Sequence, residues 1–428
     1  MDGLSLGAAK IDITPSQPVQ LAGFASRCGR GSFQGRAHPL YARVLLFEQS
    51  GGSGPARRAL VVAADLLWWA PERIAGIVRR LRERWALAPE AIILNATHTH
   101  SGPQTRICFA PSVGEADARY VEWLETRLYE AVTAAEQRLE PVVVEQGRGL
   151  SRIGIHRRTL VDGQVQHVPN PNGPVDPEVT VIRFRALNGR ARAVLVHYTC
   201  HPVITDGMLV SSEFPGVAME QVEQEVGEGV VAAYLQGCCG DVKPRVIHDG
   251  QFARGDVSVV HQVGESLAQE VLRVLRQPLQ PKAPVPLAAR TAQVALAFQR
   301  LPTIPELEAQ RDQAGVVGEW SRLLLANPER LQRSIPLTLV ALDLAAGLTV
   351  LAMNAEPAVA YGLFAKEHSG GRVLPLGYSN GMIGYVMTAQ QIVEGGYESE
   401  GSCPYFGLPV PFAPSVEAQL RAAMLGLI

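Results

Sequence analysis

Asn95-Ala96-Thr97-His98-Thr99-His100-Ser101-Gly102-Pro103 is the stretch around which the chain is organised. The apolar run before it, Ala91-Ile92-Ile93-Leu94, ends at a turn signal and reads as a buried strand. Side chains alternate along an extended chain, so this spacing sends His98 and His100 off the strand end on the same side. Two imidazoles two residues apart, closed by Ser-Gly-Pro, are poor packing material. They serve either as ligands for a metal or substrate, or as a hydrogen-bonded pair at a strand end. Upstream, residues 59–67 form a nearly continuous apolar strand with Asp65 inside it. Pro71 then opens a helix that sets Ile74, Ile77, Val78, Leu81 and Trp85 on one face. Strand, helix and strand in this order predict a βαβ unit. Asp65 is either a support for an active-site group or a turn acid.

Working outward, residues 9–15 and 41–48 read as strands, and the Gly/Ser/Arg-rich segment 23–35 as a loop. Residues 51–55 read as a tight connection. Residues 117–139 form an amphipathic helix whose stripe is Val121, Leu124, Leu128 and Val132. Beyond Pro141 strands dominate, at 142–145, 179–184 and 193–198. The polar, Pro/Asn/Gly-rich segment 159–177 reads as a long loop of the kind that carries function. Further strands are expected at 229–235 and 284–298, as a pair within 337–353, and at 374–378 and 383–388. Helices are expected at 260–274, 305–325 and 416–427. Without an internal repeat, low-complexity tract or linker, the expected architecture is α/β. It is a single large domain over residues 1–428, with mixed β-sheets flanked by helices.

The 428 residues suffice for a large core, and a net charge of −2 with 19% charged residues describes an ordinary globular chain. No basic block with interleaved aromatics points to nucleic acid, and no apolar run reaches membrane-spanning length. Residues 1–7 show neither a basic leader nor a long apolar stretch, which predicts a cytoplasmic protein acting on a small molecule. Cys28, Cys108, Cys200, Cys238, Cys239 and Cys403 are scattered, so reduced thiols are expected. The adjacent Cys238-Cys239 pair also offers thiolates to a metal.

Unusual residues collect where predicted strands end: His98 and His100, His201 in His201-Pro202, Glu356 in Asn354-Ala355-Glu356-Pro357, and the segment from Gly377 to Tyr385. Strand ends along one sheet edge are where α/β proteins place their sites. Two imidazoles and a carboxylate are a normal donor set for catalytic zinc, which keeps one position open. Spacing alone does not choose among the histidines.

Ala96-Thr97-His98-Thr99-His100-Ser101-Gly102-Pro103, His201-Pro202, Gly240-Asp241-Val242-Lys243-Pro244, and Ser379-Asn380-Gly381 followed by Tyr385-Val386-Met387-Thr388 resemble the catalytic domain of neutral ceramidases. Asp12-Ile13-Thr14-Pro15, Val175-Asp176-Pro177-Glu178-Val179-Thr180 and Tyr397-Glu398 fit the same pattern in the same order. The resemblance implies one zinc ion held by His98, His201, Glu356 and Tyr385; such N/O ligands also accept other divalent metals. It implies that His100 faces the substrate, Arg157 stands near the reacting carbonyl, and Tyr397 helps to hold the oxyanion. Each residue has a plainer reading: Tyr385 as a core tyrosine bonded to backbone, Glu356 as a helix N-terminal acid, Arg157 as a surface charge with the register slipped to Arg158.

Two departures from the family pattern stand out. Lys243 occupies the position of a serine proposed as nucleophile or helper, and a protonated lysine cannot replace a hydroxyl there. It either binds an anionic substrate group or pairs with an acid such as Asp241 or Glu213. The family's C-terminal immunoglobulin-like domain is also expected to be absent. The combined expectation is a zinc-dependent hydrolase that cleaves an amide by metal-activated water in a substrate other than ceramide. An ester or lactone hydrolase would use the same site. A non-catalytic, metal-stabilised binding protein is disfavoured by retention of the whole donor set and of Arg157.

Overall fold

The computed structural model describes residues 3–51, 54–106 and 110–428. Cys108, the first two residues and the centre of the 51–55 connection lie outside them. A nine-stranded sheet runs Val231–Gln236, Ala191–Tyr198, Glu178–Ala186, Glu140–Leu150, Leu4–Asp12, Tyr41–Gly51, Gly54–Ala64, Ile92–Ala96, with Gln280–Lys282 added beside Glu140–Leu150. Gly54–Ala64 and Ile92–Ala96 are parallel, with the helix Pro71–Trp85 between them in sequence. This is the expected βαβ unit. The other end of the sheet also finishes in a parallel pair, Ala191–Tyr198 with Val231–Gln236.

The two ends of this sheet meet. Asn95 Oδ1 accepts from the Gln236 backbone N–H at 3.0 Å, and Gln236 Nε2 donates to the Thr97 and Cys200 carbonyls at 2.8 and 3.0 Å. Side-chain amides thus bridge edges that backbone pairing leaves open, and they bring together the strand ends carrying His98 and His201.

Strand periodicity sorts side chains between layers. Val44 and Leu46 pack in one core, while Leu45 and Phe47 pack in a second core shared with Leu342, Val350 and Leu374. Those last residues belong to a four-stranded sheet of Ala288–Ala297, Ser334–Ala345, Leu348–Met353 and Val373–Leu376. The two sheets therefore share an inner apolar layer, with helices outside. Ala118–Glu136 begins at Asp117, whose side chain accepts from the Arg119 and Tyr120 N–H groups. Glu213–Val226 and Val257–Leu275 cover the Ala191–Tyr198 side, contributing Phe214, Met219, Leu267 and Val271 to the third core.

Several expectations are corrected. Residues 159–177 are not mainly loop: Gly154–Val161 and Gln164–Asn170 form an antiparallel hairpin turned at Asp162-Gly163, with φ of 50° and 76°. Asp-Gly in this conformation is a two-residue hairpin signal. The segment 305–325 is two helices, Ile304–Gln310 and Val316–Ala326, separated before Gly315 at φ 78°. Asp65 is neither a turn acid nor aimed at the histidines: its Oδ2 accepts from Arg43 Nη1 and Tyr41 N, both at 2.9 Å. Cys28, Cys200, Cys238, Cys239 and Cys403 are free thiols. Cys239 Sγ lies 3.1 Å from the Tyr378 hydroxyl, and burial pushes both adjacent thiols up, away from the thiolate form a metal needs.

Candidate active site

The strand Ile92–Ala96 stops two residues before His98, which takes a left-handed φ of 68°. A turn, not strand alternation, brings His98 and His100 together. Non-glycine residues in this region carry backbone strain that the surroundings must hold, and such strain gathers at functional sites. Each imidazole is fixed by a backbone carbonyl: His98 Nδ1 to Leu67 O at 2.8 Å, His100 Nδ1 to Gly23 O at 3.0 Å, and His201 Nδ1 to Cys239 O at 2.5 Å. Gly23 has φ 97°, and a Cβ there would lie 2.6 Å from His100 Nδ1, so only glycine allows this approach.

A carbonyl only accepts, so each Nδ1 carries the hydrogen and each ring turns its Nε2 toward the others. His98 Nε2 lies 3.2 Å from His100 Nε2 and 3.4 Å from Glu356 Oε2, and His201 Nε2 lies 3.3 Å from the same oxygen. Neither His201 Nε2 nor Glu356 Oε2 has a hydrogen-bond partner. Converging acceptors with no hydrogen between them repel unless a cation stands among them. Two donors about 2.05 Å from a tetrahedral ion are about 3.3 Å apart, so these separations fit a divalent metal.

Protonation agrees with this arrangement. Burial, then the Arg157 charge, lowers His201 to about 4, and burial with the neighbouring imidazoles lowers His100 well below its ordinary value. Both rings are therefore neutral at pH 7.

The expected tyrosine sits beside the glutamate. The short parallel strands Glu356–Pro357 and Tyr385–Val386 pair Glu356 directly with Tyr385. The Tyr385 hydroxyl accepts from Arg157 Nη2 at 3.0 Å, so its partner is a guanidinium and not backbone. Glu356 is a strand residue facing imidazoles; Ala358 is the N-cap of the following helix. Arg157 is only 4% exposed, which removes the surface-charge reading. Glu398 divides the adjacent arginines: Oε1 accepts from Arg157 Nε at 2.8 Å and Oε2 from Arg158 Nη1 at 2.7 Å. Arg158 also donates to the Gly395 carbonyl and stays in the framework, whereas Arg157 lines the cavity.

A cavity of about 340 Å³ opens above the histidines, lined by Leu67, Trp68, Val113, Tyr397, Tyr405 and Phe406 among others, together with Arg157, Lys243 and Arg254. His98, His100, Glu356, Tyr385 and Tyr397 all line it, and His201 reaches the same centre through Glu356. All eight residues singled out in the sequence therefore converge. Lys243, on Val242–Pro244, pairs in register with Ile155, two residues before Arg157. It forms no ion pair among the described residues. Asp241 instead binds Gln391 Nε2, the Val359 N–H and His156, while Glu213 accepts from Thr205 N. The protein-acid reading of Lys243 thus finds no support. Glu398, Arg254 and Phe24 were not singled out as site residues. Glu398 stands inside a quoted motif, Tyr397-Glu398, without a role; the others lie in loops with no motif.

The sequence profile described as neutral/alkaline non-lysosomal ceramidase, N-terminal, matches residues 4–260. The chain belongs to this family. A neutral ceramidase from Pseudomonas aeruginosa is 25% identical over 255 residues, covering 56% of this chain and 37% of the relative. Neutral ceramidase B from Dictyostelium discoideum is 27% identical over 260 residues, covering 56% and 35%. The alignments thus span little more than a third of these curated relatives. The crystal structure of the Pseudomonas aeruginosa neutral ceramidase superposes with a TM-score of 0.76 at 19% identity, over 100% of this chain and 74% of that one. That likeness establishes the mixed α/β fold. No helix among the described residues is long and apolar enough to cross a membrane.

Proposed function

We propose that this protein is a zinc-dependent hydrolase that cleaves an amide bond in a small substrate other than ceramide, one bearing an anionic group. The observation that carries the reading is the convergence of His98 and His201 on Glu356, with His100 against His98, at the floor of a cavity, each imidazole fixed by a backbone carbonyl. His98, His201 and Glu356 anchor the ion, and Tyr385 completes the set. His100 flanks it on the cavity side, close enough to contribute its own lone pair. A zinc ion bound there supplies Lewis acidity, acidifying water and polarising a carbonyl.

The chain's own residues supply the rest. Arg157, held by Glu398, keeps its positive charge at the Tyr385 oxygen and faces charge developing on a carbonyl oxygen; burial and then Glu356 push the Tyr385 phenol up, and Arg157 offsets part of that rise. The Tyr397 ring stands 5.9 Å from the Tyr385 ring at the cavity, offering a hydroxyl donor to the same oxygen. Trp68, Tyr405 and Phe406 exclude water from that side. Lys243 replaces the family's serine, so nucleophilic attack falls to water and Lys243 contributes charge. Turnover of a panel of N-acyl amines and lactones, with and without added zinc, tests the reading. Metal-dependent release of amine supports it; metal-dependent turnover of lactones alone would replace it with the ester or lactone reading; no metal-dependent turnover of either class would refute it.

A further inference from the structure

We propose that Lys243 and Arg254 form a carboxylate subsite and that the substrate is an N-acylated amino acid, its acyl group on the aromatic wall and its carboxylate on these two cations. This rests on the amide-hydrolase reading and deepens it. In the reaction one water is consumed: the amide C–N bond breaks, hydroxyl joins the carbonyl carbon, and the nitrogen gains a proton. The products are a carboxylic acid and a free amino acid.

Lys243 is 7% exposed and lacks an ion-pair partner among the described residues. Its ammonium rests 4.3 Å from the Phe252 ring centroid. A ring face compensates only part of the cost of taking an ammonium out of water. Arg254 lines the same cavity, with its guanidinium 4.3 Å from the Phe24 ring centroid. One edge of that guanidinium is engaged: Nη1 donates to the Val203 carbonyl at 3.0 Å, and Nε lies 3.5 Å from Asp206 Oδ2. The third cation, Arg157, shares Glu398 with Arg158, and among the described residues the one acid lining the cavity is Glu356, which faces the histidines. Burial, followed by the charges of Arg254 and Arg157, lowers Lys243 to about 7, and of these three cations Lys243 is the one without an acid beside it among the described residues; Arg254 keeps Asp206 and a side chain 43% exposed. An anion between Lys243 and Arg254 would supply that negative charge.

The remaining cavity wall carries Ser26 and His167 and is otherwise mainly apolar, built by Leu67, Trp68, Val113, Tyr405 and Phe406. Its volume of about 340 Å³ lies at the small end for ligand pockets, which run from about 300 to about 1,000 Å³. A short acyl chain and an amino acid suit it; a lipid with two long chains does not. An amide flanked by an apolar group and a carboxylate is the plan of an N-acyl amino acid.

The test compares N-hexanoylalanine with N-ethylhexanamide, its counterpart lacking the carboxylate, on the zinc-loaded full chain just below neutral pH. The wild type should prefer the acid. Lys243→Met and Arg254→Gln should each raise KM for the acid by about ten- to a hundredfold, the size of a lost charged hydrogen bond, with the change in KM exceeding that in kcat. Equal kcat/KM for the two amides in the wild type would overturn the subsite and leave the amidase reading standing. Should neither amide turn over, calorimetry with the ketone analogue of N-hexanoylalanine, a methylene replacing the N–H, separates the two ideas. Tighter binding of this acid than of its methyl ester, lost in both variants, supports the subsite although the amidase reading fails. Equal binding of acid and ester overturns the subsite.

Discussion

Asp65 and Glu356 are both buried carboxylates, 0% and 1% exposed, and they are held in opposite ways. Asp65 faces Arg43, which is equally buried, and accepts from it and from backbone. Burial lowers Arg43, but Asp65 and Glu223 outweigh it and keep it protonated. Opposite charge is supplied there from within the fold, although Asp65 Oδ1 and Arg43 Nη2 make no hydrogen bond. Glu356 faces imidazole lone pairs, and its Oε2 finds no hydrogen. Burial of a charge marks a functional centre only when the partners present leave something out.

The largest effects should break this contrast open. His98→Ala and His201→Ala should lose bound metal and turnover together, with turnover falling to background, as metal analysis and an amide assay on the same preparations would show. Asp65→Asn should do the reverse. It leaves buried Arg43 with Glu223 alone as its acid, 3.5 Å from Nε, and should cost about 3 kcal/mol of stability by denaturant titration, while the folded fraction keeps its metal. Metal loss in Asp65→Asn with stability unchanged would place Asp65 in the site after all.

Next come the adjacent arginines. Arg157→Ala should keep metal and fold yet lose about two to three orders of magnitude in kcat, the effect of removing an oxyanion donor. Arg158→Ala should chiefly lower the melting temperature, because its contacts are Glu398 and the Gly395 carbonyl. Near wild-type kcat/KM in Arg157→Ala would show that the other arginine, or neither, serves the chemistry.

A smaller effect concerns the edge of the donor set. Tyr385→Phe and His100→Ala should weaken metal affinity less than the His98 and His201 changes do, because the anchoring donors remain. A competition titration against a chelator measures this, and complete metal loss in either variant would move that residue among the anchors.

The smallest effect is on stability and depends on pH. Lys243 titrates near 7 in the folded chain, below its ordinary value of 10.5, so folding must bear the cost of charging it wherever the unfolded chain is protonated. That cost is full below pH 7 and fades as pH rises toward 10.5. Lys243→Met should therefore raise the melting temperature most below neutral pH, with the gain shrinking as pH climbs. A gain independent of pH would mean that Lys243 is uncharged or paired.

The sequence revealed features whose cause is local. The strand, helix and strand before His98 and the helix begun by Asp117 follow from periodicity and capping. Predicted strand ends picked out His201 and Glu356, and matching ordered motifs to a known family added Arg157 and Tyr397 and chose Tyr385 within its segment, residues whose separations in the chain carry no signal. What stayed hidden depends on tertiary closure. Nothing in the sequence says that Asn95 and Gln236 join the two ends of one sheet, or that Glu398 separates Arg157 from Arg158. The helix Val359–His368 escaped notice because apolar residues point to more than one side of it, with Val359, Tyr361, Phe364 and Ala365 all buried. The hairpin at Asp162-Gly163 was different, since its turn signal was present and a polar composition masked it.

The most direct test of the lone-pair centre is a zinc titration of metal-stripped protein, following bound metal and amide turnover together. The account predicts about one tightly bound ion per chain, turnover restored in step with occupancy, and neither result in His98→Ala or His201→Ala. Full turnover in the stripped protein, or equal zinc binding by those variants, would contradict it.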